Sequence, residues 1–131
     1  MSEYRDRIAT LARRSQRDCA EFTAPANPPA EDRALSYLRE GVADVVSLYV
    51  EARTGELVAF EEVEFSLLQR AMNDWLELYA ACYGTDITAE FTVREAAELV
   101  IATHNLRDTA QLLTRVPARD TSRSWSQGTV K

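Results

Sequence analysis

The sequence predicts an all-α protein, an antiparallel four-helix bundle followed by a disordered C-terminal tail. Three observations carry this expectation. Apolar residues recur at spacings of three and four along most of the chain, as in helices that bury one face. The pattern breaks where proline and glycine fall, and the connectors are about eight residues or shorter, which favours antiparallel neighbours. No segment shows a convincing period of two. With 131 residues, 46% hydrophobic and 27% charged, the chain suits one domain with a core that needs no disulfide or metal. Residues 1–116 are expected to form that domain and residues 117–131 a flexible tail.

The first helix spans about residues 2–22. Tyr4, Ile8, Leu11, Ser15, Cys19 and Phe22 form one narrow stripe, suited to packing against a bundle rather than forming its centre. Residues 23–30, TAPANPPA, contain three prolines and read as an extended connector. Such a connector would also permit the first helix to swap onto a second copy. The second helix spans about 30–53, with Leu35, Leu38, Val42, Val45, Val46, Tyr49 and Ala52 on its stripe. Gly41 inside it costs about 1 kcal/mol relative to Ala and suits a close helix contact. Gly55 reads as its C-cap residue.

The third helix spans about 59–83, ends at Gly84 and carries two stripes. One is Phe60, Val63, Leu67, Ala71, Leu78 and Cys82; the other is Phe65, Leu68, Met72, Trp75, Leu76, Tyr79 and Tyr83. Two stripes mean two neighbours, so this is the expected central helix. Glu61, Glu62 and Glu64 in its first turns suit the positive end of the helix dipole. Thr92 and Glu95 form a capping box that opens a fourth helix over about 93–115. Leu99, Leu106 and Leu113 make its seam, and Pro117 ends it.

The charge pattern narrows the function classes. There are 21 acidic and 15 basic side chains, for a net charge of −6, and the only lysine is Lys131. This composition resembles that of cytosolic proteins from salt-adapted archaea, in which carboxylates keep the surface hydrated; the expected location is cytoplasmic. Residues 21–98 carry sixteen acids against five arginines, which repels nucleic acid. The basic ends of the chain are read as pairing with that acidic middle. No apolar run approaches the roughly 18 residues of a membrane span.

Enzyme chemistry finds little support. Cys19 and Cys82 lie outside any CxxC and read as buried thiols. A di-metal bundle needs Glu-x-x-His on two helices, whereas position 101 is Ile and the chain has one histidine. No P-loop, G-x-G-x-x-G or G-x-S-x-G is present. No metal and no cofactor are expected.

His104 is the one residue with evident catalytic or switching potential. On a continuous helix Asp108 lies four residues on, placed to accept a hydrogen bond from the imidazole, and Arg107 lies three residues on, suited to a phosphoryl oxygen. His104-Asn105-Leu106-Arg107 resembles the phosphoacceptor box of sensor histidine kinases. It is similar, too, to the box of histidine phosphotransfer domains. The resemblance covers about ten residues and implies His104 as phosphoacceptor, Arg107 as its basic neighbour and Leu106 as core anchor. The chain departs from the phosphotransfer box at Asp108, where that box carries glycine.

The aromatics give the other lead. Trp75, Tyr79 and Tyr83 follow at four-residue steps, with Tyr49 on the preceding helix. Such a stripe either fills a core or lines a binding face. Trp125, in RSWSQ, has nothing local to pack on and reads as a docking residue. The expected function is a small acidic interaction or adaptor module with a protein partner, or a second copy of itself. The alternatives are a phosphotransfer protein using His104 and a small-molecule binder with its site between helices near Tyr49, Trp75 and Tyr79.

Overall fold

The computed structural model describes residues 3–54 and 62–117. All regular elements among them are helices. Helix α1 is Glu3–Glu21. Helix α2 spans residues 31–54 and is continuous, but its turn Leu38–Val42 is a π-helix between the α-helical pieces Glu31–Tyr37 and Ala43–Thr54. Helix α3 is Glu62–Cys82, α4 is Val93–Thr103 and α5 is Leu106–Thr114. Gly55, Phe60, Trp125 and the expected tail over 118–131 lie outside the described residues.

Pairings along α1 and α2 run in opposite directions. Arg7 meets Glu51, Arg14 meets Asp44, and Phe22 meets Tyr37, so these two helices are antiparallel. Helix α3 touches each of the other helices, the central place its two stripes predict. Leu68, Ala71, Met72, Trp75, Leu76, Leu78, Tyr79 and Cys82 of α3 are buried, as are Leu38, Val42, Val45, Val46 and Tyr49 of α2. The first α3 stripe is covered only in its C-terminal half, because Val63 and Leu67 stay exposed.

The π turn has a physical cause. A Cβ added at Gly41 would lie 2.3 Å from Trp75 Cδ2, so the indole rests directly on the α2 backbone. The turn widens there, and the Ala43 N–H reaches back five residues to Leu38 O. Arg14 of α1 caps the widened turn. Its Nη2 donates to Glu40 O, its Nη1 lies 3.1 Å from Asp44 Oδ2, and its guanidinium sits 5.6 Å from the centroid of the Trp75 ring. The indole Nε1–H donates to Asp18 Oδ2 at 2.8 Å. One buried ring thus joins α1, α2 and α3.

The segment from Gly84 to Thr92 has no regular structure, yet its backbone is satisfied by α3. Gly84 adopts φ +79 and ends α3 as its position predicts. Glu77, Asn73 and Gln69, one helical turn apart, then bond the strand of chain running back past them. Ala89 N–H donates to Glu77 at 2.9 Å, Phe91 exchanges two bonds of 3.0 Å with Asn73, and Val93 N–H donates to Gln69 at 3.1 Å. The Thr92–Glu95 capping box is present and opens α4 as expected.

The single helix expected over 93–115 is two. His104 closes α4 in the left-handed region (φ 53), its N–H donating to Val100 O. Asn105 is extended, and its side chain accepts from Asp108 N–H at 2.9 Å, capping α5. An asparagine that satisfies a helix N-terminus competes with continuing the helix through it. The leucine seam breaks accordingly: Val93, Ala96 and Ala97 bury in α4, and Thr109, Ala110 and Thr114 in α5. Leu106 and Leu113 pack at the margin of the core.

A Gly41→Ala variant should lose about 2 kcal/mol of stability, because the added methyl overpacks the indole. Urea unfolding checks this, and an unchanged midpoint would mean that the ring does not rest on the turn. A second expectation concerns Tyr79, whose hydroxyl donates to Val116 O at 2.6 Å. Burial above all, and then Tyr83, push its phenol above the ordinary range. The resulting stabilisation is complete below about pH 10, the ordinary phenol value, and is lost as pH rises through the raised folded value. Melting temperatures should therefore fall more steeply in alkali for the wild type than for Tyr79→Phe.

Candidate functional site

The aromatic residues singled out by spacing are largely core. Trp75 and Tyr79 are fully buried, Tyr49 is 8% exposed, and Tyr83 is half-buried with its ring 5.3 Å from that of Tyr79. Tyr79 and Tyr83 border a cleft of about 120 Å³ with Glu31, Asp32 and Arg107. Tyr49 and Tyr79 line separate clefts, and Trp75 lines neither of them.

His104 is exposed at the α4–α5 junction. The break removes the continuous-helix register that placed Asp108 one turn beyond it. Asp108 lies in the first turn of α5, with its N–H held by Asn105. Arg107 lies 3.4 Å from Glu31 at the start of α2.

Cys82 is buried, as expected, but Cys19 is exposed on α1. Desolvation first, and then Asp74, Glu77 and Asp18, push its thiol up to about 11, so it stays protonated and poorly nucleophilic at neutral pH. Among the described residues no group of three or more His, Cys, Asp or Glu is placed to hold a metal ion.

Three larger grooves remain. The one of about 340 Å³ between α1 and α2 is walled by the Arg7–Glu51 and Arg14–Asp44 ion pairs. The one of about 550 Å³ along α3 is polar, and its Gln69, Asn73 and Glu77 already hold the 84–92 segment. The third, of about 220 Å³, has an apolar floor and lies between α2 and α4.

Helical spacing builds this third groove. Tyr49, Val50 and Arg53 face it from α2; Arg94, Ala97, Glu98 and Ile101, at i, i+3, i+4 and i+7, face it from α4. Tyr49 and Ala97 form a buried floor, and Phe65 supports it, 6.3 Å from the Tyr49 ring. Ile101 stands on the rim and is 61% exposed. Arg53 lies over the Tyr49 ring at 5.7 Å and donates to its hydroxyl at 3.4 Å. No carboxylate among the described residues lies within ion-pair distance of Arg53. Arg94 pairs with Glu98 at 3.2 Å, one turn along α4 and largely solvated. Such a pair contributes a few tenths of a kcal/mol.

Among the described residues the groove offers apolar surface and one guanidinium with no carboxylate in ion-pair reach, but no nucleophile or acid–base pair. A sequence signal for it exists in Leu99-Val100-Ile101-Ala102. Four consecutive apolar residues encircle a helix, and one core-facing stripe cannot cover them all. Leu99 of that run is partly buried, whereas Ile101 is exposed.

A family model with the description Domain of unknown function (DUF8055) matches residues 2–118. The chain belongs to this family. The match takes in all five helices and so the whole α2–α4 groove of this DUF8055 domain. No curated protein and no solved structure matches the chain. No helix among the described residues is long and apolar enough to cross a membrane.

Left-handed φ suits glycine better than histidine. His104→Gly should therefore raise stability by about 0.5 kcal/mol, a gain limited by the extra freedom glycine has when unfolded. A thermal melt checks this, and a lower melting temperature would show that the imidazole makes a stabilising contact at the junction.

Proposed function

We propose that this DUF8055 chain is a protein–protein interaction module and that the α2–α4 groove is its recognition surface. One observation carries the reading. Ile101 is an aliphatic side chain left 61% exposed beside a groove floored by Tyr49, Val50 and Ala97. Isolated exposed aliphatics are ordinary, but one set against a concave apolar floor is the usual make-up of an interface anchor. Arg53, with no carboxylate within ion-pair distance among the described residues, supplies the polar contact that fixes orientation. The scaffold in this reading is an antiparallel bundle whose fourth member is the broken α4–α5 pair. An acidic surface with one lysine fits a salt-adapted cytoplasmic setting, in which apolar burial holds partners together while surface charges are screened.

The test compares wild type and Ile101→Asp as tagged baits in native lysate at high salt, with bound proteins identified by mass spectrometry. A protein held stoichiometrically by wild type and lost by at least tenfold with Ile101→Asp is the expected result. Identical retained proteins for the two baits would sink the assignment of the groove. Circular dichroism controls for folding, which the exposed position of residue 101 should leave intact.

A further inference from the structure

The α2–α4 groove has the features of a surface that fits itself. A two-fold interface requires that each copy present both the projecting and the receiving shape, and both charge signs, in one patch. Ile101 projects from the α4 rim, and the hollow that would receive it is bounded by Tyr49, Val50 and Ala97. Arg53 on the α2 wall lacks an acidic partner among the described residues, while Glu98 on the α4 wall, paired along its own helix with Arg94 at 3.2 Å, keeps its side chain 65% exposed. A two-fold axis running along the groove lays the α4 wall of each copy over the α2 wall of the other.

We propose that the groove's occupant is a second copy of this chain. Ile101 of each copy then enters the hollow of the other, and Arg53 of one copy meets Glu98 of the other. The inference rests on the reading of this groove as a recognition surface and narrows it to one partner. The net charge of −6 on each copy opposes association at long range, and salt screens that repulsion. The dimer is therefore tighter in high salt than in low salt. An association held mainly by ion pairs across the interface would behave oppositely.

Sedimentation equilibrium on the full 131-residue chain tests this across micromolar concentrations, at low and at molar potassium chloride. The wild type should dimerise, more tightly at molar salt, and Ile101→Asp should weaken the dimer at least tenfold. Arg53→Glu and Glu98→Arg should each weaken it, and the double variant Arg53→Glu/Glu98→Arg should recover most of the loss. A monomeric wild type at every concentration, or a dimer indifferent to Ile101→Asp, overturns the proposal. So does a charge swap that fails to recover. If the chain is monomeric but Ile101→Asp still releases a different captured protein, the recognition surface stands and only the second copy is excluded. Loss of both results removes both readings.

Discussion

The contact between Trp75 and Gly41 is the constraint on which the arrangement of α1, α2 and α3 depends. An indole with no exposed surface needs a partner for its N–H, and it needs backbone close enough to leave no void. Asp18 supplies the first and Gly41 the second. The close approach falls within the π turn of α2, and the turn leaves the Glu40 carbonyl to Arg14. Arg14 also lies over the ring. Each helix is fixed by a different atom set around the same side chain, so changes at any of these positions should prove coupled rather than additive.

The α2–α4 groove inherits its shape from that arrangement. Helix α2 carries Trp75's support on its inner face and Tyr49, Val50 and Arg53 further along, so the π turn sets how the later half of the helix is rotated. The opposite wall depends on the side chains of Gln69, Asn73 and Glu77, which hold the chain after Gly84 against α3 and deliver Val93 to its starting point. A ladder of side-chain amides and a carboxylate does here what a neighbouring strand does in a sheet: it satisfies backbone groups that would otherwise lie against the core without partners. The helix break at His104-Asn105 then turns the chain into α5, after which Val116 accepts from Tyr79, while Ile101 in the last turn of α4 stays exposed.

Much of the fold was legible in the sequence. The α2 stripe, the second stripe of α3, the stop at Gly84 and the capping box at Thr92 all rest on local rules, periodicity and caps, that hold before any tertiary contact forms. The helix break was less legible although its signal was local. Asn105-x-x-Asp108 is a start pattern, but the leucines at 99, 106 and 113 repeat across it with the spacing of one continuous helix. The candidate site was hardly legible at all. Tyr49, Trp75 and Tyr79 have the same residue types and spacing whether they fill a core or line a pocket, and only burial separates the two. Ile101 became visible as a rim residue only once its neighbours on α2 were known.

The sequence by itself determined that the chain is helical, where most helices begin and end, which helix is central, and that its surface is acidic. These follow from the composition and from interactions between residues a few positions apart. Tertiary structure alone decided the partners of residues far apart in the chain. It brought Gly41 under Trp75, set Arg14 on both, opened the π turn, left Cys19 exposed while burying Cys82, and set Ile101 beside a hollow made by another helix. The physical reason is that packing is a matter of shape between whole faces. A period of 3.6 residues states which face a side chain occupies, and it is silent about what that face will meet.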